Sequence, residues 1–268
     1  MRRGTRSRSI RVARRSRRIQ VRRTRGSTMA DTAEVVIVGG GVAGLSAATF
    51  TARADLETLV LDAGSPILRR NAHLENYPGF PAGVNARLLL DMMAEGAERA
   101  GADRREARVA RVARDDDGFA VETDAADRYR ADYVVAATKN ATDYLPPGVD
   151  VVDRGKPFVE CDERGRTGVE GLYAAGRLAG KPHQAVVSAG HGAEVAVTLL
   201  EDADRPFYHD WVAPEGYFTD RGRDLPPGCE EIDDEERRRR EAESLALMRE
   251  RFAEPHPSEQ PTHPSLDR

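Results

Sequence analysis

The stretch from residue 34 to residue 48, EVVIVGGGVAGLSAA, constrains the fold of this chain more than any other part. Five residues with strand preference run into a glycine cluster, and a helical pattern follows from Val42 to about Arg53. Three of the glycines have the G-x-G-x-x-G spacing: Gly39, Gly41 and Gly44. In such a unit the first glycine allows a tight turn, the second lets a pyrophosphate approach the backbone, and the third lets the helix pack closely on the strand. The free N–H groups at the helix start then face the phosphate.

A carboxylate follows the next strand. Residues 58–61 (TLVL) predict a second strand that leads into Asp62, 18 residues after Gly44. A carboxylate at this place can accept hydrogen bonds from the ribose of an adenosine. A glycine-rich loop alone indicates only a tight turn, but with the strand before it, the helix after it and Asp62 it predicts a dinucleotide site. Val42, Ala43 and Ala63 are assigned to the same site.

The segments after residue 63 predict an α/β domain that contains a meander. Residues 63–83 are rich in turn residues and predict a loop, and residues 85–100 predict a helix that stops at Gly101. Its expected core face holds Leu88, Leu89, Met92 and Met93. Three strands are expected next, at residues 105–113, 119–123 and 128–137, with a hairpin turn at Asp117-Gly118. A meander at this point distinguishes the chain from a plain nicotinamide-binding domain, in which strands and helices continue to alternate.

The second half of the chain is expected to add fewer elements. Residues 138–167 are turn-rich, with a possible short strand at 158–159. Residues 171–176 (GLYAAG) predict a buried strand and a glycine turn, and residues 184–200 predict a helix. Residues 209–218 suggest an irregular extension, and a solvated helix is predicted from Glu231 to Phe252. Four acid-first pairs support that helix: Asp233/Arg237, Asp234/Arg238, Glu235/Arg239 and Glu236/Arg240.

The charge of the chain is unevenly distributed. Residues 1–28 hold 12 arginines and no acid, so the rest carries 29 basic against 45 acidic side chains, a net charge of −16. Only three of those basic residues are lysines: Lys139, Lys156 and Lys181. Such an acidic, lysine-poor chain is typical of proteins that stay soluble in concentrated salt, and it indicates a halophilic cytoplasm. Cys161 and Cys229 form no C-x-x-C pair, so neither a disulfide framework nor a metal site is expected.

The composition also suggests a division into segments. Residues 1–29 form a basic extension that is expected to be disordered, with Met29 favoured as the true start; a nucleic-acid-binding arm and a transit peptide are the alternatives. The other expected segments are a binding domain at 30–203, an extension with a charged helix at 204–253 and a disordered tail at 254–268. No run of about 18 apolar residues predicts a membrane span. We expect no contact with nucleic acid or membrane, and a homodimer is possible.

Residues 33–200 resemble the flavin-binding half of the thioredoxin-reductase-like flavoproteins. The shared parts are VVIVGGGVAGLSAA with Asp62, the ENYPGF loop, REARVARV, DYVVAAT, and GLYAAGR followed by HQAVVSAGHGAEVA. The resemblance implies a single Rossmann-like FAD-binding domain, with a central parallel sheet, helices on one side and a three-stranded β-meander on the other. It also implies FAD contacts at Asn76, Val109, Gly176, Arg177, His183, Gln184 and Ala185. A helix that starts near Gln184 would stabilise the negative charge of a reduced flavin.

Three departures from that family limit the functional prediction. About 30 residues stand where the family has a nicotinamide-binding domain, the redox C-x-x-C of that domain is absent, and Arg177 stands where the family usually has an aspartate. Arginine cannot accept a hydrogen bond from the ribityl chain, but it can reach the pyrophosphate. Thiol exchange with thioredoxin is therefore unsupported.

The leading hypothesis is an FAD-dependent oxidoreductase whose electrons come from a redox partner protein or a transiently docked nicotinamide. A non-catalytic sensor that binds a flavin or another dinucleotide and a plain NAD-binding domain are the alternatives. No catalytic residue can be assigned; His183 and His191 are candidates by position alone.

Overall fold

The computed structural model describes residues 31–64, 66–115, 117–206 and 209–263. The predictions for residues 1–29, and the part of the tail prediction that concerns residues 264–268, lie outside these ranges. Within them the main element is a seven-stranded mixed sheet in the order β3-β2-β1-β6-β5-β4, with β9 also paired to β6. Its strands are β1 (Asp31–Val38), β2 (Thr58–Asp62), β3 (Asp103–Glu106), β4 (Val109–Asp115), β5 (Gly118–Thr123), β6 (Arg128–Ala136) and β9 (Leu172–Ala174).

The described residues form four α-helices: α1 (Val42–Arg53), α2 (Ala86–Ala100), α3 (Ala185–Asp202) and α4 (Asp234–Arg251). Two small strand pairs lie outside it, an antiparallel hairpin of β7 (Val151–Asp153) with β8 (Pro157–Val159) and a parallel pair of β10 (Trp211–Pro214) with β11 (Cys229–Ile232). None of the described helices is long and apolar enough to cross a membrane.

The two faces of the sheet bury different partners, as the alternation of side chains along a strand requires. Val35, Ile37 and Val60 pack against the helices, with α1 and α3 as the main contributors. Val36 and Leu59 belong to a second core, built with residues of the meander strands β4, β5 and β6. Helices on one side and a three-stranded meander on the other are therefore confirmed.

The strand β6 joins the two parts of the sheet. Its first half pairs antiparallel with β5, and its second half pairs parallel with β9, while the whole strand pairs parallel with β1. The chain then returns to β9 through residues 137–171, which consist of turns and the β7–β8 hairpin. This short connection brings the glycine turn after β9 beside the glycine turn after β1.

Close packing of α1 on α3 depends on a glycine. A Cβ added at Gly192 would lie 2.0 Å from the backbone oxygen of Ala43. The two helices therefore approach more closely than side chains would allow, and small residues such as Ala43 and Ala47 fill the contact. As a result the N-terminal turns of both helices lie at the same edge of the sheet, where the parallel strands end.

Several local expectations were wrong. The single strand expected at 105–113 is two strands, because β3 pairs with β2 whereas β4 pairs with β5. The buried face of α2 includes Leu89 and Leu90, and Leu88 is half-buried. The short strands β7, β10 and β11 were not expected, although the hairpin strand β8 covers the predicted residues 158–159.

The charged helix α4 forms close to the predicted bounds but with different ion pairs. Asp234/Arg238 and Glu236/Arg240 are present, whereas Asp233 caps the helix by accepting from the N–H of Glu236 at 2.8 Å. The expectation of a purely solvated helix was incomplete, because α4 also makes ion pairs with α2 and β11: Arg99–Glu243, Arg251–Glu95 and Arg240–Glu230. The segment boundaries at 203 and 253 and the disordered tail stay predictions.

Candidate functional site

A cleft of about 1160 Å³ lies at the carboxyl ends of the parallel strands β1, β2 and β6. This end of an open α/β sheet is where such folds bind ligands. The cleft exceeds the 300–1,000 Å³ usual for small-molecule pockets. Twelve residues expected to bind the cofactor line it: Gly39, Gly41, Val42, Ala43, Asp62, Ala63, Asn76, Val109, Arg177, His183, Gln184 and Ala185. The fold therefore brings together residues that span nearly 150 positions of the chain.

The three neighbouring glycines in the turn after β1 have different structural roles. A Cβ at Gly41 would meet nothing within 4 Å, so the backbone there is open to the cleft. At Gly40 a Cβ would lie 2.3 Å from Oδ2 of Asp62, so only glycine lets that carboxylate lie against the turn. Gly39 has a left-handed backbone with φ of 112°, which glycine adopts without strain. The turn is thus shaped for a ligand that approaches along its backbone.

Two glycines expected to contact the cofactor lie behind the cleft wall. A Cβ at Gly44 would come within 2.0 Å of the backbone oxygen of Gly39, so Gly44 allows α1 to pack on the turn. Gly176 has φ of 63°, and a Cβ added there would lie 2.7 Å from the Cβ of Ala43. Both glycines shape the site without lining it.

The helices α1 and α3 both begin at the cleft, and neither has a side-chain cap at its N-terminus. Among the described residues, no side chain accepts a hydrogen bond from the first turn of α1 or of α3. The other two helices are capped, α2 by the side chain of Asn85 and α4 by that of Asp233. Uncapped N–H groups and the positive end of the helix dipole favour an anionic ligand. The cleft therefore offers two such ends to one ligand.

Asp62 is nearly buried at the end of β2. Its side chain is 11% exposed, and Oδ1 accepts from the N–H of Gly64 at 3.0 Å. Arg104 approaches Oδ2 at 3.9 Å, too far for a hydrogen bond. The carboxylate thus keeps acceptor capacity toward the cleft, as a ribose site requires.

The opposite end of the cleft is built from the ENYPGF loop and the start of α3. Nδ2 of Asn76 donates to Oε1 of Gln184 at 2.8 Å, which joins two segments more than 100 residues apart. Beside them lies His183, whose pKa is lowered by partial burial and then by the nearby cations Arg177, Lys139 and Lys156.

Arg177 lines the cleft but is held from behind. Its guanidinium stacks on the ring of Phe158 at 4.7 Å, and Nη1 donates to the backbone oxygen of Lys181 at 3.3 Å. Such stacking fixes the guanidinium plane while leaving other donors free. The reach of Arg177 to a pyrophosphate stays a prediction.

His191 does not reach the cleft. It is 4% exposed, and Nδ1 accepts from the N–H of Gly176 at 3.0 Å, so the neutral ring carries its proton on Nε2. Burial lowers its pKa. His191 thus holds the turn that presents Arg177, and its position excludes contact with a ligand in the cleft.

Sequence reasoning missed several lining residues, among them Gly40, Arg70, Lys139, Tyr144 and Ser188. The run of three glycines at 39–41 was a signal for the first of these. The others follow from chain returns that no local pattern reveals.

Residues 260–263 of the tail also line the cleft. Nearer α2, Nε2 of His256 lies 2.8 Å from Oδ2 of Asp91. There the tail borders a second cavity of about 650 Å³, which shares Gly40 and Asp62 with the cleft. Among the described residues, no cluster of three or more metal-ligating side chains is present.

The two cysteines lie far apart in the chain, and only Cys229 belongs to a strand. Cys161 is half-buried against the meander core, and burial raises its pKa, which disfavours the reactive thiolate. Cys229 begins β11 in the extension and lies 3.5 Å from the backbone oxygen of His209. The described structure thus offers no dithiol pair.

The chain is similar to known proteins over part of its length. Residues 37–96 match a family described as an NAD(P)-binding Rossmann-like domain. A thioredoxin reductase of Listeria monocytogenes is 36% identical over 107 residues, 39% of this chain and 33% of that protein. A bifunctional thioredoxin reductase/thioredoxin of Mycobacterium leprae is 36% identical over 134 residues, 48% of this chain and 29% of that protein. The chain thus spans about a third of the length of these relatives.

Solved structures agree on the architecture. A thioredoxin reductase from Gloeobacter violaceus superposes with a TM-score of 0.61 at 18% identity, over 67% of this chain and 98% of that one. A thioredoxin reductase from T. acidophilum gives a TM-score of 0.54 at 19% identity, over 65% of this chain and 99% of that one. The chain therefore has the α/β Rossmann-like fold of the thioredoxin reductase structures.

Proposed function

We propose that this chain is a flavoprotein oxidoreductase that holds FAD in the cleft. The observation that carries the proposal is the convergence of the two uncapped helix starts, of α1 and α3, on one large cleft. A dinucleotide presents a pyrophosphate in its middle and, for FAD, a ring system that gains negative charge on reduction. Each helix start therefore has an anionic group to stabilise.

The residues of the chain would divide the binding as follows. The open backbone at Gly41 and the first N–H groups of α1 would hold the pyrophosphate. Asp62 would accept hydrogen bonds from the ribose hydroxyls, and Arg177 would add a charge-assisted contact. At the other end, the Asn76–Gln184 pair and the start of α3 would position the ring. Bound FAD would supply the redox chemistry, since neither Cys161 nor Cys229 lines the cleft.

The similarity to thioredoxin reductases supports an oxidoreductase, but the proposal does not include exchange with a dithiol. Cys161 and Cys229 are both free and lie in separate segments, and a lone thiol cannot close the intramolecular disulfide that a dithiol relay needs. Reduced nicotinamides are expected to be poor donors. The connection from β6 to β9 carries no second glycine fingerprint to hold their pyrophosphate, so hydride transfer would lack a positioned complex.

The test is the flavin content of the purified protein. The protein in concentrated KCl should be yellow and should release FAD, identified by chromatography, on denaturation. Asp62→Ala should lower FAD affinity by roughly 1.5–3 kcal/mol through loss of a charge-assisted hydrogen bond. A folded protein that neither contains FAD nor binds it below about 10 µM would refute the proposal.

A second measurement separates an enzyme from a flavin sensor. Colour that bleaches anaerobically with a donor and returns with an acceptor supports catalysis. Flavin that resists both steps would favour the non-catalytic alternative. Saturation with micromolar NADPH and fast bleaching would contradict the expectation about nicotinamides.

A further inference from the structure

The lysines of this chain gather in one region. The sequence contains only three, and all of them lie between β6 and α3, in the connection that forms one rim of the cleft. Lys139 lines the cleft itself, Lys156 lies at the turn of the β7–β8 hairpin, and Lys181 precedes α3. In a chain whose residues beyond position 28 carry a net charge of −16, this placement is not explained by solubility.

Arginines extend the same positive region. We define the basic rim as Arg70, Lys139, Arg154, Lys156 and Arg177. The pKa of Lys139 is lowered by burial and then by Lys156, Arg70 and Arg177. The three charged groups that lower its pKa are thus all cations. Arg154 lies in the same hairpin as Lys156. Its Nη1 is 3.8 Å from the position that a Cβ added at Gly180 would occupy.

The basic rim is held in place rather than loosely solvated. Nδ2 of Asn140 donates to the backbone oxygen of Pro157 at 2.8 Å, which ties the loop of Lys139 to the hairpin of Lys156. Lys139 has φ of 67°, a left-handed backbone that costs a residue other than glycine about 1–3 kcal/mol. Its conformation is therefore imposed by the surroundings, which keep the cation at the cleft mouth.

The cations of the basic rim lack acidic partners. Within the described residues, no carboxylate lies within ion-pair distance of any of the five, whereas the arginines of α4 pair repeatedly with Asp234, Glu236 and Glu243. Clustered like charges without counter-charges disfavour the folded chain. Such an arrangement is typical of a surface that meets an anionic partner.

Exposed apolar side chains are present in the same connection and at the start of α3. Val186 and Val187, on the first turn of α3, are each 37% exposed, and Val151 of β7 is 45% exposed. Protein interfaces combine exposed apolar groups with a charged border. Arg154 and Lys156 are exposed and do not line the cleft, so these two cations lie outside the place of a small ligand. A partner of protein size fits this extent better than a nucleotide phosphate.

We infer that the basic rim docks an acidic redox protein that delivers electrons to the flavin end of the cleft. The inference rests on the proposed function for the identity of the acceptor. The exchange balances when two reduced partner molecules each give up one electron and two protons come from water, so that bound FAD becomes FADH2 and two oxidised partners leave. Charge complementarity of this kind raises the association rate and fixes the orientation of the partner.

A charge-reversed variant tests the inference. In Arg154→Glu/Lys156→Glu both substituted residues are exposed and lie outside the cleft lining. The control Arg223→Glu/Arg249→Glu makes the same change in net charge at two exposed arginines of the C-terminal part. The probe is a plant-type [2Fe–2S] ferredoxin, a strongly acidic redox protein. Its binding is measured by isothermal titration calorimetry at the lowest KCl concentration that leaves the circular dichroism unchanged.

The expected result is about a tenfold weaker binding of ferredoxin by the rim variant and less than a twofold change in the control. Stopped-flow reduction of the flavin by reduced ferredoxin should slow by the same factor, while photoreduction with deazariboflavin stays unchanged. Absence of ferredoxin binding by the wild type, or equal weakening by both variants, overturns the inference. So does saturable reduction by NADPH that the rim variant loses, since the rim would then bind a nucleotide phosphate.

The calorimetric measurement does not depend on flavin. If the protein holds no FAD, the proposed function fails, and binding of oxidised ferredoxin still decides whether the basic rim is a docking surface.

Discussion

Two glycines three positions apart should separate cofactor binding from folding. Gly41→Val places a side chain where a Cβ would meet nothing within 4 Å, on a backbone with φ of −82° and ψ of −178° that any residue adopts. The loss of glycine at this N-cap position costs less than about 1 kcal/mol. The isopropyl group would, however, occupy the space that a pyrophosphate needs against the turn. We therefore expect at least a tenfold loss of FAD affinity with near wild-type stability.

Gly44→Ala should instead lower the stability of the fold. The new Cβ would lie 2.0 Å from the backbone oxygen of Gly39 and 3.3 Å from Cγ2 of Ile37. Ordinary contact begins about 1.4 Å farther out, so α1 has to move away from the turn. Insertion of an atom into a packed core costs typically 1–3 kcal/mol, and a clash with backbone belongs at the upper end. For a chain of this size about 3 kcal/mol lowers Tm by roughly 6–12 °C.

The assay compares both variants with the wild type. Thermal unfolding followed by circular dichroism is measured on protein stripped of FAD, because a bound cofactor would mask the loss of stability. FAD affinity is measured by titration of the same preparations. Wild-type Tm in Gly44→Ala, or equal destabilisation by Gly41→Val, would show that the reasoning about this turn is wrong.

Three further outcomes are expected. Burial lowers the pKa of His191, so at low pH the unfolded chain binds a proton that the folded chain does not. The contribution of His191 to the free energy of unfolding should therefore fall as pH drops below about 6.5 and stay constant above that pH. In urea titrations, His191→Gln should reduce the dependence of the free energy of unfolding on pH below about 6.5. Arg53 makes a bidentate ion pair with Asp210, so Asp210→Ala should cost up to about 1 kcal/mol and speed proteolysis of residues 204–233 without a change in FAD content. The double variant Cys161→Ser/Cys229→Ser should keep the wild-type rate of flavin reduction in stopped-flow measurements, and loss of that rate would reveal a thiol step.

Local sequence was sufficient for the glycine turn, the acid that ends β2 and the helix α2. Gly39 adopts the left-handed backbone that its turn requires, and α2 begins at the cap residue Asn85 and ends at the left-handed Gly101. The hairpin between β4 and β5 was also predicted, but its turn lies one residue earlier than Asp117-Gly118, because Gly118 is the first residue of β5 and pairs with Asp115. These features are set by interactions over a few residues, so the pattern of residue types predicts them.

The tertiary structure decided which distant segments meet. The break after Glu106 arises because β3 pairs with β2 and β4 with β5, and no periodicity within 103–115 distinguishes those partners. The pairing of β10 with β11 and the burial of Leu90 in place of Leu88 depend on surfaces far away in the chain.

The cleft combines both kinds of information. Its glycine turn is visible in the sequence, whereas Arg177 and the cap-free start of α3 reach it only through the return of the chain along β9. Spacing along a chain encodes local hydrogen bonds and turn geometry. The proximity of side chains from separate elements depends on the packing of the whole sheet, which no short pattern records.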